Sequence, residues 1–545
     1  MRPRRLVTLF VVSNLSVIGF AGETEKALPP PPPAASAPSA APSLPVEPGG
    51  TLQLRDAMRW VLEKNFALRV QEQDVLIARD SIDRARGDFD PKIFASGNYE
   101  DNVRKLNALD YSSFGLGSGN PQNTLFTEQN LRTAAGLSGK LPTGTQYELS
   151  VTANRLENDV NRAGRFYYPE FETFAGLTLT QPLLKDFWLK PNMADTYIAR
   201  YEVRIAERTR EVDVINKLIE LTNAYYDLIF GLENLKVKHE AVVVAQKLRE
   251  ENAERMRLGQ MTDIDVTQAD VKISEAREEE ILGQDFLRER RVRLLKLLVN
   301  QFPAGAIPDF AATADLEVAP LTQSPADLYA VALEQRPDLL VAQEQVGKSR
   351  VGADRAHNQR LPQVDLRFTY GHGGLDDNFS SSFSQIYDEN QRRISGGVVA
   401  SLPIGNHRAA ADDRSARRKV QQAELSVEEL KTSISLEVSN ACQRLQTLRE
   451  RLDTARQSRA YAEESLRVGQ ARLEAGKATS FVVLDFQQKV SDARTREIAA
   501  RVDLKKAEAE LWGATGLFLT KHGFTTGDTT VAAEHRGGTS AAAQP

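Results

Sequence analysis

The chain holds 545 residues with a formal net charge of −5 and a single cysteine, Cys442. That length leaves room for several structural units. The near-balanced charge lacks the basic footprint of a nucleic-acid binder, and one cysteine excludes an intrachain disulfide framework or a multi-cysteine metal site.

In chain order, Arg2, Arg4 and Arg5 precede a mostly apolar run from Leu6 to Phe20, and Gly19-Phe20-Ala21 has the small-x-small form of a cleavage site. Residues 1–21 therefore read as a secretory signal peptide. The alternative is a short uncleaved anchor, although Ser13, Asn14 and Ser16 interrupt the run and it is short for a span. Residues 22–50, rich in Pro, Ala and Ser from Pro30 onward, read as an extended linker. No later segment carries eighteen consecutive apolar residues, so no transmembrane helix is expected in the mature chain.

The rest reads as two copies of one unit. Residues 56–99 align without a gap on 327–370, with Asp56/Asp327, Leu62/Leu333, Leu68/Leu339, Arg84/Arg355, Pro91/Pro362 and Tyr99/Tyr370 identical. A second block pairs Glu220/Glu437, Asn223/Asn440, Gly259/Gly476, Thr262/Thr479 and Val266/Val483. The predicted first repeat covers 51–302, an inter-repeat equatorial segment 303–324, the second repeat 325–516, and a disordered tail 517–545. Each repeat opens with a helix, at about 54–89 and 325–360; Ala57, Val61, Leu68, Val75 and Ile82 mark the apolar stripe of the first. Each then runs through strands to a proline-free helix, at about 192–257 and 408–474, a glycine turn and a further helix. Helices of that length reach roughly 100 Å, so each matches two shorter helices stacked end to end in a coiled-coil rod.

Between the helices the period changes to two. Val364, Leu366, Phe368 and Tyr370 alternate with polar residues, as do Tyr147, Leu149 and Val151, and Val398, Ala400 and Leu402. Outer-membrane barrel strands alternate this way, and so does a half-buried soluble sheet. The leader, the flanking rods and aromatic residues near strand ends (Tyr99, Phe166, Tyr167, Tyr168, Tyr370) favour the barrel. Pro91, Pro182, Pro362 and Pro403 stand at the predicted strand–helix junctions, where proline ends a helix and opens the next element without a donor. Two strands in the second repeat, at 363–373 and 394–403, plus two to four in the first cannot close a barrel within one chain, so closure requires a homo-oligomer. The additional sequence at 100–175 holds a predicted hairpin, Leu131–Leu141 and Tyr147–Asn154, which either adds two strands or forms an extracellular cap.

This pattern resembles the TolC-like family of outer-membrane factors over roughly residues 50–516. The resemblance rests on LRDAMRWVLEKNFALRV from Leu54, QPLL at Gln181–Leu184, LPIG at Leu402–Gly405, and the paired turns RMRLGQMTDIDV and RLEAGKATSFVV. It implies an α+β membrane protein: an internally duplicated, trimeric outer-membrane β-barrel continued by a long antiparallel α-helical coiled-coil periplasmic tunnel. It further implies a passive export duct in the outer membrane of a Gram-negative-type cell, contacting outer-membrane lipid and docking to a periplasmic adaptor and an inner-membrane pump. By that resemblance Leu258, Gly259 and Gln260, with Ala475, Gly476 and Lys477, are adaptor-docking tips. Asp265 and Asp485 are the family's acidic residues at the pore constriction, and a carboxylate ring in a narrow pore favours cations. Helix capping alone also accounts for Asp263 and Asp265. Val482 and Ala478 depart from the family pattern, standing where charge is found in its best-known members.

Catalysis has little support, and neither a metal nor a cofactor is expected. His239, His357, His372, His407, His522 and His535 are scattered without ligand spacing. The glycine-rich stretch at 371–374 lacks the Lys-Ser/Thr and helix of a phosphate loop. The basic clusters Arg288–Arg293 and Arg414–Lys419 read as solvated faces or subunit contacts. The rival to a duct is a periplasmic coiled-coil tether without a pore, which needs no alternating strands.

Overall fold

The computed structural model describes residues 50–105, 125–164, 167–259, 261–299, 309–313, 315–387 and 391–524. The expected leader 1–21, almost all of the linker 22–50, Phe166 and Gln260 lie outside the described residues.

The helices differ from expectation at one repeated point. Each opening helix is two: α1 (Leu54–Lys64) and α2 (Phe66–Arg86) in the first half, α5 (Pro325–Gln335) and α6 (Pro337–Asn358) in the second. The breaks are local chemistry. Asn65 adopts extended backbone, its side-chain oxygen accepts from the Ala67 amide at 2.9 Å, and its amide donates to the Leu297 carbonyl at 3.1 Å. In the second half Pro337 forces Arg336 out of the helical region. Ser324 starts α5 with a reciprocal cap to Asp327.

Long helices α3 (Ala194–Arg257) and α7 (His407–Glu474) have 64 and 68 residues, and each reverses into a shorter helix, α4 (Asp263–Leu298) and α8 (Ser480–Ala514). The chain thus stacks α2 and α4 along α3, and α6 and α8 along α7. The rods do not stand apart, because α3 also packs against α6 and α8. Four helices lie abreast at each level: α2, α3, α6 and α7 toward the strands, α4, α3, α8 and α7 toward the turns.

The main core sits where the helix ends meet. Met58, Val61, Leu218, Leu221, Leu228, Leu294, Leu295 and Phe518 are buried together. Two short strands, β1 (Thr51–Leu52) and β6 (Ala311–Ala312), pair in parallel beside them. The Tyr225 hydroxyl lies 2.8 Å from the carbonyl oxygens of both Leu52 and Thr313, tying both strands to α3, and its burial pushes the phenol up to about 12. The expectation of a disordered tail from 517 fails for its first residues. A turn of helix at Phe518–Lys521 sends Phe518, Leu519 and Phe524 into this core, as expected of apolar residues with a groove to fill.

A six-stranded antiparallel sheet completes the fold: β2 (Lys92–Lys105), β3 (Leu125–Lys140), β4 (Gln146–Asn158), β5 (Glu170–Pro182), β7 (Gln363–Asp376) and β8 (Arg392–Ser401), in that spatial order. Of the segment 100–175, the described residues add two strands, β3 and β4, to this sheet. Among the described residues, edges β2 and β8 have a partner on one side only.

Asn65→Ala removes both a cap and a hydrogen bond to a carbonyl at the meeting point of α2 and α4. It should lower stability by about 1–2 kcal/mol, read from denaturation followed by helical circular dichroism. Asn65→Asp keeps the capping oxygen but sets a buried carboxylate against the Leu297 carbonyl, so it should cost at least as much as Asn65→Ala.

Candidate functional site

Directly opposed residues in a sheet share a face, so the register turns the strand alternation into surfaces. One row runs Ile93, Leu137, Leu149, Leu177, Tyr370, Ile394 across all six strands, and every member is apolar or aromatic. One residue along, on the opposite face, the row is Lys92, Ser138, Glu148, Thr178, Thr369, Ser395, without an apolar member. Neighbouring rows on the first face hold Ala95, Ala135, Val151 and Ala175, ending in His372 and Arg392, and Tyr147, Leu179 and Phe368, flanked by Gly139 and Gly396. Ile93, Leu149, Tyr370 and Ile394 are exposed although apolar, an arrangement water penalises and lipid does not. Phe379, Phe383 and Tyr387 follow one another in ring contact beside Phe171 at the far edge of this band, where interfacial aromatics belong. On the polar face, the Phe94 ring lies over Gly136 and the Phe174 ring over Gly176 and Gly371, space a Cβ would fill.

At the helix-facing end, Pro91 and Pro362 immediately precede β2 and β7, Pro182 ends β5 and Pro403 follows β8. The β3–β4 turn docks at this end. The Trp188 amide donates to the Thr143 carbonyl at 3.1 Å, and Gly144, at φ +89°, leaves no room for a Cβ against the Asp186 carbonyl. The Leu402–Gly405 stretch leads into α7 through Gly405 and Asn406, both at positive φ. Just inside α7, Asp413 is buried with Arg360 at 2.7 Å and Arg417 at 3.1 Å. The Arg360 and Arg417 guanidiniums hold its carboxyl below the usual aspartate range.

At the opposite end the two turns lie side by side. Leu248, Leu473, Val483 and Leu484 form a small core with Met261 and Leu466, joining α3, α7 and α8. Gly259 (φ +73°) and Gly476 (φ +67°) take the left-handed conformation that ends each long helix. At the second turn the Gly476 amide bonds Leu473 and the Lys477 amide bonds Arg472, the double closure of a glycine-terminated helix. Leu258 is exposed, and Ala475 caps α7. Asp265 accepts from the Thr262 amide (3.0 Å) and hydroxyl (2.7 Å), which holds its carboxyl below the usual range. The carboxylate expected at a constriction is thus also a helix cap. Asp485 is half exposed and pairs with Lys489 at 2.7 Å.

Sequence reading overlooked the charge clamps. Buried Glu497 on α8 takes Arg459 of α7 at 3.0 Å and Arg501 of its own helix at 2.5 Å. Glu463 takes Arg459 and Arg494, and Arg494 continues to Glu240 of α3 at 3.0 Å. The i,i+4 spacings Glu497/Arg501, Arg459/Glu463 and Asp413/Arg417 are the available signal. Mixed charge on long helices usually means a solvated face, which hid them.

Comparison with known proteins adds a family match over part of the chain and a likeness of fold. Residues 328–517 match the family described as outer membrane efflux protein. The chain is 24% identical over 343 residues to the outer membrane efflux protein BepC of Brucella suis, spanning 63% of this chain and 71% of that protein. It is 23% identical over 323 residues to the toluene efflux pump outer membrane protein TtgC of Pseudomonas putida, spanning 57% and 62%. Among solved structures it resembles CusC (TM-score 0.60, 18% identity, 88% of this chain and 99% of that one). It also resembles VceC of Vibrio cholerae (TM-score 0.58, 17% identity, 85% and 96%).

The acid limb of stability follows from the clamps. Burial pushes the Glu497 carboxyl up, but Arg459 and Arg501 outweigh it and hold the group below the usual glutamate range; Glu463 behaves alike. Groups lowered on folding stabilise the protein above the unfolded pKa, and that stability is lost as pH falls through the folded value. Helical melting midpoints should hold from neutral pH to about 5 and fall below ~4. Glu497→Gln should lower the midpoint at pH 7 and flatten the acid limb; a limb unchanged in shape would remove Glu497 from the account.

Proposed function

We propose that the chain, which matches the outer membrane efflux protein family over residues 328–517, is the outer-membrane component of a tripartite export assembly, a passive duct from periplasm to exterior. The six-strand apolar row from Ile93 to Ile394, backed by an all-polar row, is the observation that carries this reading. A lipid-facing wall needs that contrast, and a periplasmic tether has no use for it.

In this reading the chain is an internal duplication delivered by the leader 1–21, and three copies share one barrel above a common helical tunnel. Support comes from exposed apolar side chains on the helices, including Ile281, Leu282, Leu425, Leu436 and Tyr461, which a single chain leaves uncovered. The turns at Leu258, Gly259 and Gln260 and at Ala475, Gly476 and Lys477 face the periplasmic adaptor and, through it, the inner-membrane pump. Asp485 and Asp265 line the narrow end. Lys489 offsets Asp485 in part, and Val482 and Ala478 leave the constriction with less charge than the best-known family pattern. The chain performs no catalysis and uses no cofactor in this role.

Purified protein in a planar bilayer should conduct as an oligomer, more strongly when the tips are loosened; an oligomer that never conducts would overturn the duct. Asp485→Asn should shift the reversal potential in a salt gradient toward lower cation selectivity, and Lys489→Gln should shift it the other way. Unchanged potentials would take Asp485 out of the pore lining.

A further inference from the structure

The second half of the chain supplies two strands to the sheet, β7 and β8, and the first half supplies four. The surplus is the β3–β4 hairpin. Three features make it part of the wall. Its strands occupy the interior of the sheet, between β2 and β5, with 14 paired positions to β2 and 11 to β5. Its Leu137 and Leu149 continue the apolar row and its Ser138 and Glu148 the polar row without a change of parity. Its turn is seated on the strand–helix junction at Thr143 and Trp188, so the hairpin inserts from the helix side and leaves the up–down alternation of every other strand unchanged. An insertion of two strands is the smallest that preserves this alternation.

We propose, resting on the duct reading above, that each chain contributes six strands, so that three copies close an eighteen-stranded barrel. Two strands per repeat would give twelve. With strands ~4.8 Å apart and tilted by ~40°, eighteen enclose about 36 Å between backbones, against about 24 Å for twelve. The tunnel below has the matching girth. Four helices abreast per chain make twelve, and at 8–10 Å between axes their ring measures about 96–120 Å around, against about 113 Å for the eighteen tilted strands. The added hairpin carries the tunnel's width through the membrane, so the barrel does not restrict cargo and the selective narrowing falls to the turn end of the helices.

The test places single spin labels in full-length protein on a Cys442→Ser background, reconstituted in lipid. Leu137→Cys and Leu149→Cys report the hairpin's apolar row, Ser138→Cys and Glu148→Cys its polar row, and Ile394→Cys and Ser395→Cys the second repeat as reference. Collision with lipid-soluble oxygen should exceed collision with a water-soluble nickel chelate at 137, 149 and 394, and the order should invert at 138, 148 and 395. Alternation at 394 and 395 with water access at both 137 and 149 overturns the eighteen-stranded wall and spares the duct. Loss of alternation at 394 and 395 overturns the barrel and this proposal with it. Electron cryomicroscopy of the unsubstituted protein in lipid discs gives an independent count: eighteen strands as expected, or twelve with residues 125–158 outside the wall, which overturns it.

Discussion

The structure depends on a rule of hydrogen bonding: a backbone amide or carbonyl in hydrocarbon must find a partner in the protein. A sheet of six strands has two edges, and here each edge strand, β2 and β8, is paired on one side. β8, at 10 residues, is the shortest strand of the sheet, but neither it nor β2 contains a proline. Every exposed residue of β8 is left for something outside the chain. Since β2 runs away from the helices and β8 returns toward them, the β8 of one copy and the β2 of the next would meet antiparallel in the proposed assembly. In the proposed duct, oligomerisation is the way the sheet satisfies itself, and the number of strands per copy sets the width of what is enclosed.

The helices obey the same economy at a different scale. Helices of 64 and 68 residues cannot bury themselves, and each is flanked by two shorter ones whose ends meet near Asn65 and Arg336. That meeting point is where the fold concentrates its large buried side chains, with Tyr225 holding both short strands. Away from it, packing is thinner and the layer is tied by ion pairs, from Asp413 near the strands through Glu497 and Glu463 toward the turns. Each clamp joins different helices, so they fix the register of neighbours as well as adding stability; desolvation limits their net worth.

Much of this is legible in the residues. Period-two alternation over Val364–Tyr370 and Tyr147–Val151 marks strands because opposite faces meet opposite media, and proline at 91, 182, 362 and 403 marks junctions because it cannot continue a helix. The helix breaks were hidden because an asparagine cap inside an apolar stripe looks like one polar position among many, and Pro337 after Arg336 is compatible with a helix start as well as a kink. The packed residues 517–524 were hidden because three apolar side chains are too few to show a period. The role of 100–175 turned on which residues oppose which, and register is a property of paired strands that neither strand carries alone.

Amide hydrogen exchange of the lipid-reconstituted assembly tests the central claim that the edges are paired between copies. Amides of the apolar-band portions of β2 and β8 should exchange as slowly as those of the central strand β5. Fast exchange confined to the two edge strands, with β5 protected, would show an open sheet and contradict it.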